Sequence, residues 1–270
     1  MKPSHTRFMV FLAALMPACT LLAQPAPAQS PAPASPASGP AAPPAPSQPS
    51  PTLARVPGSY WSIMLPPGWE EGSPEELDLV NEAANDLAKQ SGVEQHIGFK
   101  MLILPEHRDG RYLLVQEGTT LPPGLSFESI SKSFDKAFDA GAKRVKKDAG
   151  ISVGASKSEP DAVHQRILTR SHVALGGPDT LGHFTLTSFA REGVLSVHAY
   201  APAKTYAQAE PSMLEVANSI AIDAGHEYAF GTRSASGFDW SQMVSKGLIG
   251  GLIGLVFGLG AWLKRRMSNS

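Results

Sequence analysis

The sequence predicts an α+β fold, an antiparallel sheet flanked by helices, with one transmembrane helix added at the C-terminal end. Three observations predict it. Strand-like runs in the second half follow one another across short turns, which favours antiparallel pairing. Amphipathic stretches with cap signals interrupt those runs. Gly247 to Leu263 is apolar and uncharged, and Lys264, Arg265 and Arg266 close it. Seventeen helical residues at ~1.5 Å each reach ~25 Å, near the thickness of a bilayer core.

The elements follow in order. Tyr60 to Leu65 reads as a strand stopped by Pro66-Pro67-Gly68. Ser73 caps a helix through Gln90, with Pro74 at its first position and Glu76 three residues past the cap. Leu77, Val80, Ala84 and Leu87 form its buried stripe. Ile97 to Leu104 and Arg111 to Gln116 are strands around a turn at His107-Arg108-Asp109-Gly110. A second helix covers Phe127 to Ala140, with Phe127, Ile130, Phe134 and Phe138 on one face and Gly141 as its C-terminal cap. Val145 to Val153 reads as a broken strand. Val163 to Leu175, Leu181 to Arg191 and Val194 to Ala201 form a meander, turning at Gly176-Gly177-Pro178-Asp179 and at Glu192-Gly193. A third helix, Ala207 to Ile220, offers Met213, Leu214, Ala217 and Ile220 to the core.

The opening strand running into Leu65-Pro66-Pro67-Gly68-Trp69 resembles the start of PsbP-like and DcrB-like domains. So does the hairpin Phe184 to Tyr200, with the following helix that ends in Ala217-Asn218-Ser219-Ile220. The resemblance implies an α/β/α sandwich in a binding or assembly factor. Arg191-Glu192-Gly193-Val194-Leu195 and the Gly-rich terminal helix are also similar to predicted membrane-anchored bacterial proteins of unknown function.

The ends of the chain set its expected location. Lys2 and Arg7 precede an apolar run, and the small-x-small sites end at Ala23 and at Ala28, so residues 1–28 read as a secretory signal peptide. The single cysteine, Cys19, lies inside that signal, where it also resembles a lipidation site; cleavage leaves no disulfide. Residues 24–55 are mostly Pro, Ala, Ser and Gln, too poor in apolar bulk to offset ordering entropy. Residues 56–223 carry the globular signal, 224–246 a tether, 247–263 the membrane span and 264–270 a basic tail. The excess of Lys and Arg places that tail in the cytoplasm and the domain outside it, in the periplasm if the membrane is a bacterial inner membrane. Trp240 and Trp262 suit the two interfacial belts.

Candidate chemistry is sparse. Removing Lys2 and Arg7 from the 23 basic residues leaves 21 against 24 acidic ones, which gives no basis for nucleic-acid binding. Among eight histidines, a four-residue turn at 176–179 sets His172 opposite His183, a pair that could join a third ligand on zinc or copper. The simpler reading of these two is sheet histidines that are solvated or hydrogen-bonded, with no metal. Ser129 with Lys132 and Ser133 with Lys136 match a Ser-x-x-Lys pattern, but without its companion motifs they read as a solvated helix face. Lys143-Arg144-Val145-Lys146-Lys147 is a basic cluster. Gly250, Gly254 and Gly258 recur every fourth residue, a row suited to helix pairing in lipid.

The sequence therefore leads to a single-pass envelope protein whose exported domain binds or assembles rather than catalyses. It uses no cofactor, and its expected partners are the membrane and a protein partner or a second copy. The alternatives are a metal-binding or enzymatic domain built on the sheet histidines, and a structural oligomer joined through the terminal glycines.

Overall fold

The computed structural model describes residues 50–90, 98–149, 152–155, 158–174 and 180–235. The chain divides into Met1–Ser47 and Gln48–Ser270, and every described residue belongs to the second unit. The signal segment with Cys19, Ala23 and Ala28, and the terminal run with Gly250, Gly254 and Gly258, lie outside the described residues. Among the described residues no helix is long and apolar enough to cross a membrane.

The elements are β1 (Thr52–Ala54), β2 (Trp61–Leu65), β3 (Trp69–Glu71), α1 (Pro74–Gln90), β4 (Phe99–Pro105), β5 (Tyr112–Glu117) and α2 (Phe127–Ala149). Then come β6 (Ser152–Ala155), β7 (Glu159–Asp161), β8 (Arg166–Ala174), β9 (Thr180–Phe189), β10 (Val194–Pro202), α3 (Tyr206–Asn218) and β11 (Ala221–Ile222). The fold is α+β with antiparallel sheets. The large sheet runs β3-β4-β5-β10-β9-β8-β6, with β7 also on β8; a small sheet runs β1-β2-β11.

Both faces of the large sheet are covered. On one, Phe99, Leu114, Phe189 and Tyr200 pack with Ala84 of α1 and with Ile130, Phe134 and Phe138 of α2. On the other, Met101, Leu113, Phe184 and Val197 pack with Met213 and Val216 of α3 and with Trp61 and Ile63 of the small sheet. Period-two alternation along β5 and β10 feeds both cores at once, which explains their near-continuous apolar sequence.

Local chemistry fixes the docking of each helix. At α1 the Ser73 N–H donates to Glu76 at 2.9 Å and the Glu76 N–H donates to Ser73 Oγ at 3.2 Å, the reciprocal cap that the sequence predicts. Asn81 then clamps α1 to β4, accepting from the Phe99 N–H at 2.7 Å and donating to the Phe99 carbonyl at 3.2 Å. At the end of α3, Arg166 donates to the carbonyls of Asn218 (3.0 Å) and Ile220 (2.7 Å), groups that no further turn of helix would satisfy. Gly182 of β9 lets α3 approach: a Cβ there would stand 2.1 Å from the Tyr206 ring.

Four features depart from the sequence expectation. Helix α2 runs through Gly141 to Ala149, so the strand expected from Val145 begins only at Ser152. One interior glycine costs about 1 kcal/mol, and the Ala, Lys and Arg around it are strong helix formers. Thr52–Ala54 pairs with Ile63–Leu65 although it falls in the Pro/Ala/Ser-rich segment. The short strands β3, β7 and β11 carry too few residues for a periodic signal.

The fourth departure is the stretch 224–235, expected as tether. It lies on the domain as a strap. Tyr228 accepts from the Leu125 N–H at 3.0 Å and donates to the Pro122 carbonyl, and Arg233 bridges to Leu125. Phe230 packs edge-on against Phe127 and Phe189, with ring centroids 5.5 and 5.7 Å away. Glycine and serine at 225, 231 and 234 suggest a linker, but Tyr228 is buried and Phe230 partly so, and full burial of a large apolar side chain stabilises by about 1.5–3 kcal/mol.

Candidate functional site

The sheet face beneath α1 and α2 is unusual at its centre because its side chains are polar. The short connection 190–193 sets the register of β9 and β10, pairing Phe189 with Val194. Counting outward, Thr185 falls opposite His198 and His183 opposite Tyr200. Strands β5 and β8 extend these rungs, giving one row Tyr112–Tyr200–His183–Ser171 and a second Leu114–His198–Thr185–Thr169.

The first row is a stack of rings. Tyr112 and Tyr200 have centroids 4.9 Å apart, and Tyr200 and His183 have centroids 4.5 Å apart. His183 also lies parallel to His198 at 5.9 Å, and Phe99 meets His198 edge-on at 6.4 Å. Hydrogen bonds link the two rows. Ser171 Oγ is 2.7 Å from His183 Nδ1; His183 Nε2 is 3.2 Å from Thr185 Oγ1; Thr185 Oγ1 is 3.0 Å from His198 Nδ1. Each hydroxyl both donates and accepts, so protons along this relay can all point one way or all the other. His198 Nε2, at its end, is then an N–H donor in one arrangement and a bare acceptor in the other.

The site is deeply enclosed. His183 is 1% exposed, His198 2% and Tyr200 fully buried. Burial disfavours charge, so His183 falls well below the usual histidine value of 6.5 and His198 falls to about 4. The Tyr112 and Tyr200 hydroxyls are pushed up for the same reason. All four groups are neutral at pH 7. Among the described residues, Tyr112 Oη, Tyr200 Oη, His198 Nε2 and Gln116 Oε1 are shielded and have no protein hydrogen-bond partner.

The histidines expected to face each other do not. His172 pairs with Gly182, and Ser171 pairs with His183. The β8–β9 connection is one residue longer than the four-residue turn of the sequence reading, because Ala174 rather than Leu175 pairs with Thr180. A slip of one residue turns a side chain to the opposite sheet face. His172 is exposed, 6.4 Å from the Tyr206 ring on the α3 side, while His183 is sealed under α1 and α2. Among the described residues no group of three metal-binding side chains occurs. His164 sits in an exposed turn with its Nδ1 2.6 Å from Asp161.

The Ser-x-x-Lys pairs do not engage internally. Lys132 reaches Glu128 at 2.6 Å, and Ser133 Oγ donates to the Ser129 carbonyl at 2.9 Å. Lys143 and Lys146 of the basic cluster are exposed on α2.

Sequence reasoning missed His198, Tyr200, Tyr112, Thr185 and Ser171. A signal existed in part: His183, Thr185 and Thr187 alternate with Phe184 and Leu186, but the expected turn at Glu192-Gly193 would pair Arg191 with Val194 and set Thr185 opposite Tyr200, whereas Phe189 pairs with Val194 and Thr185 with His198. Alternation alone marks such a polar face as solvent-facing, and only the helices above it make it interior.

With this geometry in hand, the chain can be set beside known proteins. No protein-family model matches it, and no curated protein matches it. Sixteen solved chains do. One is the solution structure of cyanobacterial PsbP (CyanoP) from Synechocystis sp. PCC 6803, similar at 9% identity with a TM-score of 0.43, over 64% of this chain and 92% of that one. At that identity and score the likeness assigns no role to any residue.

Proposed function

We propose that this chain is a single-pass, membrane-anchored envelope protein whose exported α+β domain, of the PsbP-like or DcrB-like kind, is a non-enzymatic binding or assembly module. The observation that carries the reading is the uncharged run 247–263 with Lys264, Arg265 and Arg266 directly behind it. The basic residues at the start of the chain, followed by a short apolar segment, support export of what lies between.

Binding rather than turnover is supported by the state of the buried polar groups. Both nitrogens of His183 are engaged by hydroxyls. Burial, not a carboxylate or cation, sets the charge state of His198. Groups kept neutral in this way are not poised for proton transfer near pH 7.

A reporter fused after Ser270 tests the anchoring. It should be active only on the cytoplasmic side, and the full-length protein should stay in membranes through an alkaline wash. Activity on the outer side, or release by the wash, overturns the reading.

A further inference from the structure

The helices of the domain are held to the large sheet unequally. Helix α1 packs chiefly on β4, two strands from β10. Among the described side chains of α1 only Ala84 is buried, with Leu77 and Val80 partly so. Helix α3, on the other face, buries Tyr206, Ala209, Met213, Val216 and Ala217. What secures α1 is the Asn81 clamp on the Phe99 backbone, and the Phe99 ring stands edge-on to His198. An element with few buried apolar contacts opens at a smaller cost than the whole domain.

The groups on the covered face favour opening. Tyr112 Oη, Tyr200 Oη, His198 Nε2 and Gln116 Oε1 are shielded and, among the described residues, have no protein partner. They share one face of the paired strands β5 and β10. A polar atom closed off without a partner raises the free energy of the closed state, and water meets it once the cover lifts.

The same layer has no answer to positive charge. The titratable groups facing His198 are His183 on β9, Tyr200 on β10 and Tyr112 on β5. Helices α1 and α2 turn apolar side chains to the layer, Leu77, Val80 and Ala84 from one, Ile130, Phe134 and Phe138 from the other. Asp135 of α2 is taken by the Ser158 N–H at 2.9 Å, and Glu76 of α1 by the Ser73 N–H and Arg108. The other acids of α1, Glu75, Asp78, Glu82 and Asp86, are exposed, as are Glu128 and Asp139 of α2. Lys100 of β4 is exposed and reaches Glu117 at 3.9 Å.

We propose that α1 is an acid-released lid: at neutral pH it closes over the polar rows, and near pH 5 a proton taken up by the His198 imidazole holds it open, baring the polar face of β5 and β10 to water. A charge that nothing balances under the lid is hydrated once the lid lifts, so protonation and opening favour each other. Burial holds covered His198 at about 4, against 6.5 in water. The open form therefore binds more protons, and its share rises as pH falls, by about 30-fold between pH 7.5 and pH 5. His183, lowered as well, acts in the same direction. This device goes beyond the binding-module reading and needs neither export nor an anchor.

Amide exchange of the full-length protein in one detergent tests it, with rates at pH 7.5 and pH 5 each divided by the intrinsic rate at that pH. The amides of Asp78–Ala84 should lose protection by at least about 30-fold at pH 5, with little dependence on added urea. Those of α3 should stay better protected at both pH values and follow the urea dependence of whole-domain unfolding. His198→Gln should lose about 30-fold less protection in α1 than wild type does. A single protection and urea dependence shared by α1 and α3, no loss in α1 at pH 5, or the full wild-type loss retained in His198→Gln overturns the proposal. Should the variant not fold, the comparison of α1 with α3 in wild type decides alone.

Discussion

Acid should loosen the domain, and His198 should account for a measurable part of the loss. Burial holds His198 near 4 in the folded protein, against 6.5 when it is exposed to water. A histidine with a depressed folded value binds its proton more readily in the unfolded chain. Its contribution is therefore fully present above 6.5, falls as pH drops, and is gone below about 4. At 1.36 kcal/mol per pH unit the full difference is about 3 kcal/mol, and about 2 kcal/mol is already lost at pH 5.

His183 moves the same way, lowered by burial and then by His198. The lowered carboxyls of Asp109, Asp161 and Glu128 act further down the scale, while Glu71, raised by burial, opposes the loss, so the difference between wild type and the histidine variants isolates the histidines. The assay is urea unfolding of the full-length protein in one detergent, at constant ionic strength, followed by near-ultraviolet dichroism. Wild type should lose at least about 2 kcal/mol across the window. His198→Gln should lose about 2 kcal/mol less, and His183→Gln with His198→Gln should be nearly flat. A His198→Gln protein with the wild-type slope would refute the argument, because His198 would then not be buried and neutral.

Three other outcomes are expected. Gly182→Ala drives a methyl into the Tyr206 ring, with only 2.1 Å available, so α3 must shift; the loss should be about 1–3 kcal/mol by urea unfolding. Tyr228→Ala removes a side chain only 6% exposed that ties the strap to Pro122 and Leu125; it should cost about 3 kcal/mol and expose 224–235 to limited proteolysis. Ser73→Ala opens the α1 cap and should cost about 1 kcal/mol, with faster amide exchange confined to the first turn of that helix.

How much of this was legible from sequence varies by element. The cap of α1 was, because its two bonds lie within four residues. So was the existence of the β9–β10 hairpin, though Phe189 rather than Arg191 pairs with Val194, a register two residues from that of the expected Glu192-Gly193 turn. The end of α2 was not: Gly141 looks like a stop, and only the packing of the helix decides that its cost is accepted. The register of β8 on β9 was off by one residue, enough to place His172 and His183 on opposite faces. The strap was hidden for a different reason. Tyr228 and Phe230 owe their burial to Phe127, Phe189 and Leu125, partners remote in the chain that no local pattern reveals.

The strap also sets the length of the leash. With 224–246 as tether, twenty-three residues could let the domain roam up to ~80 Å from the bilayer. Docking through Ala235 leaves eleven before Gly247, a reach of ~40 Å at most. Under the anchored reading the chain departs beside the first turn of α2, and that end of the domain rides close to the lipid. On that reading, whatever meets the protein does so within reach of the membrane.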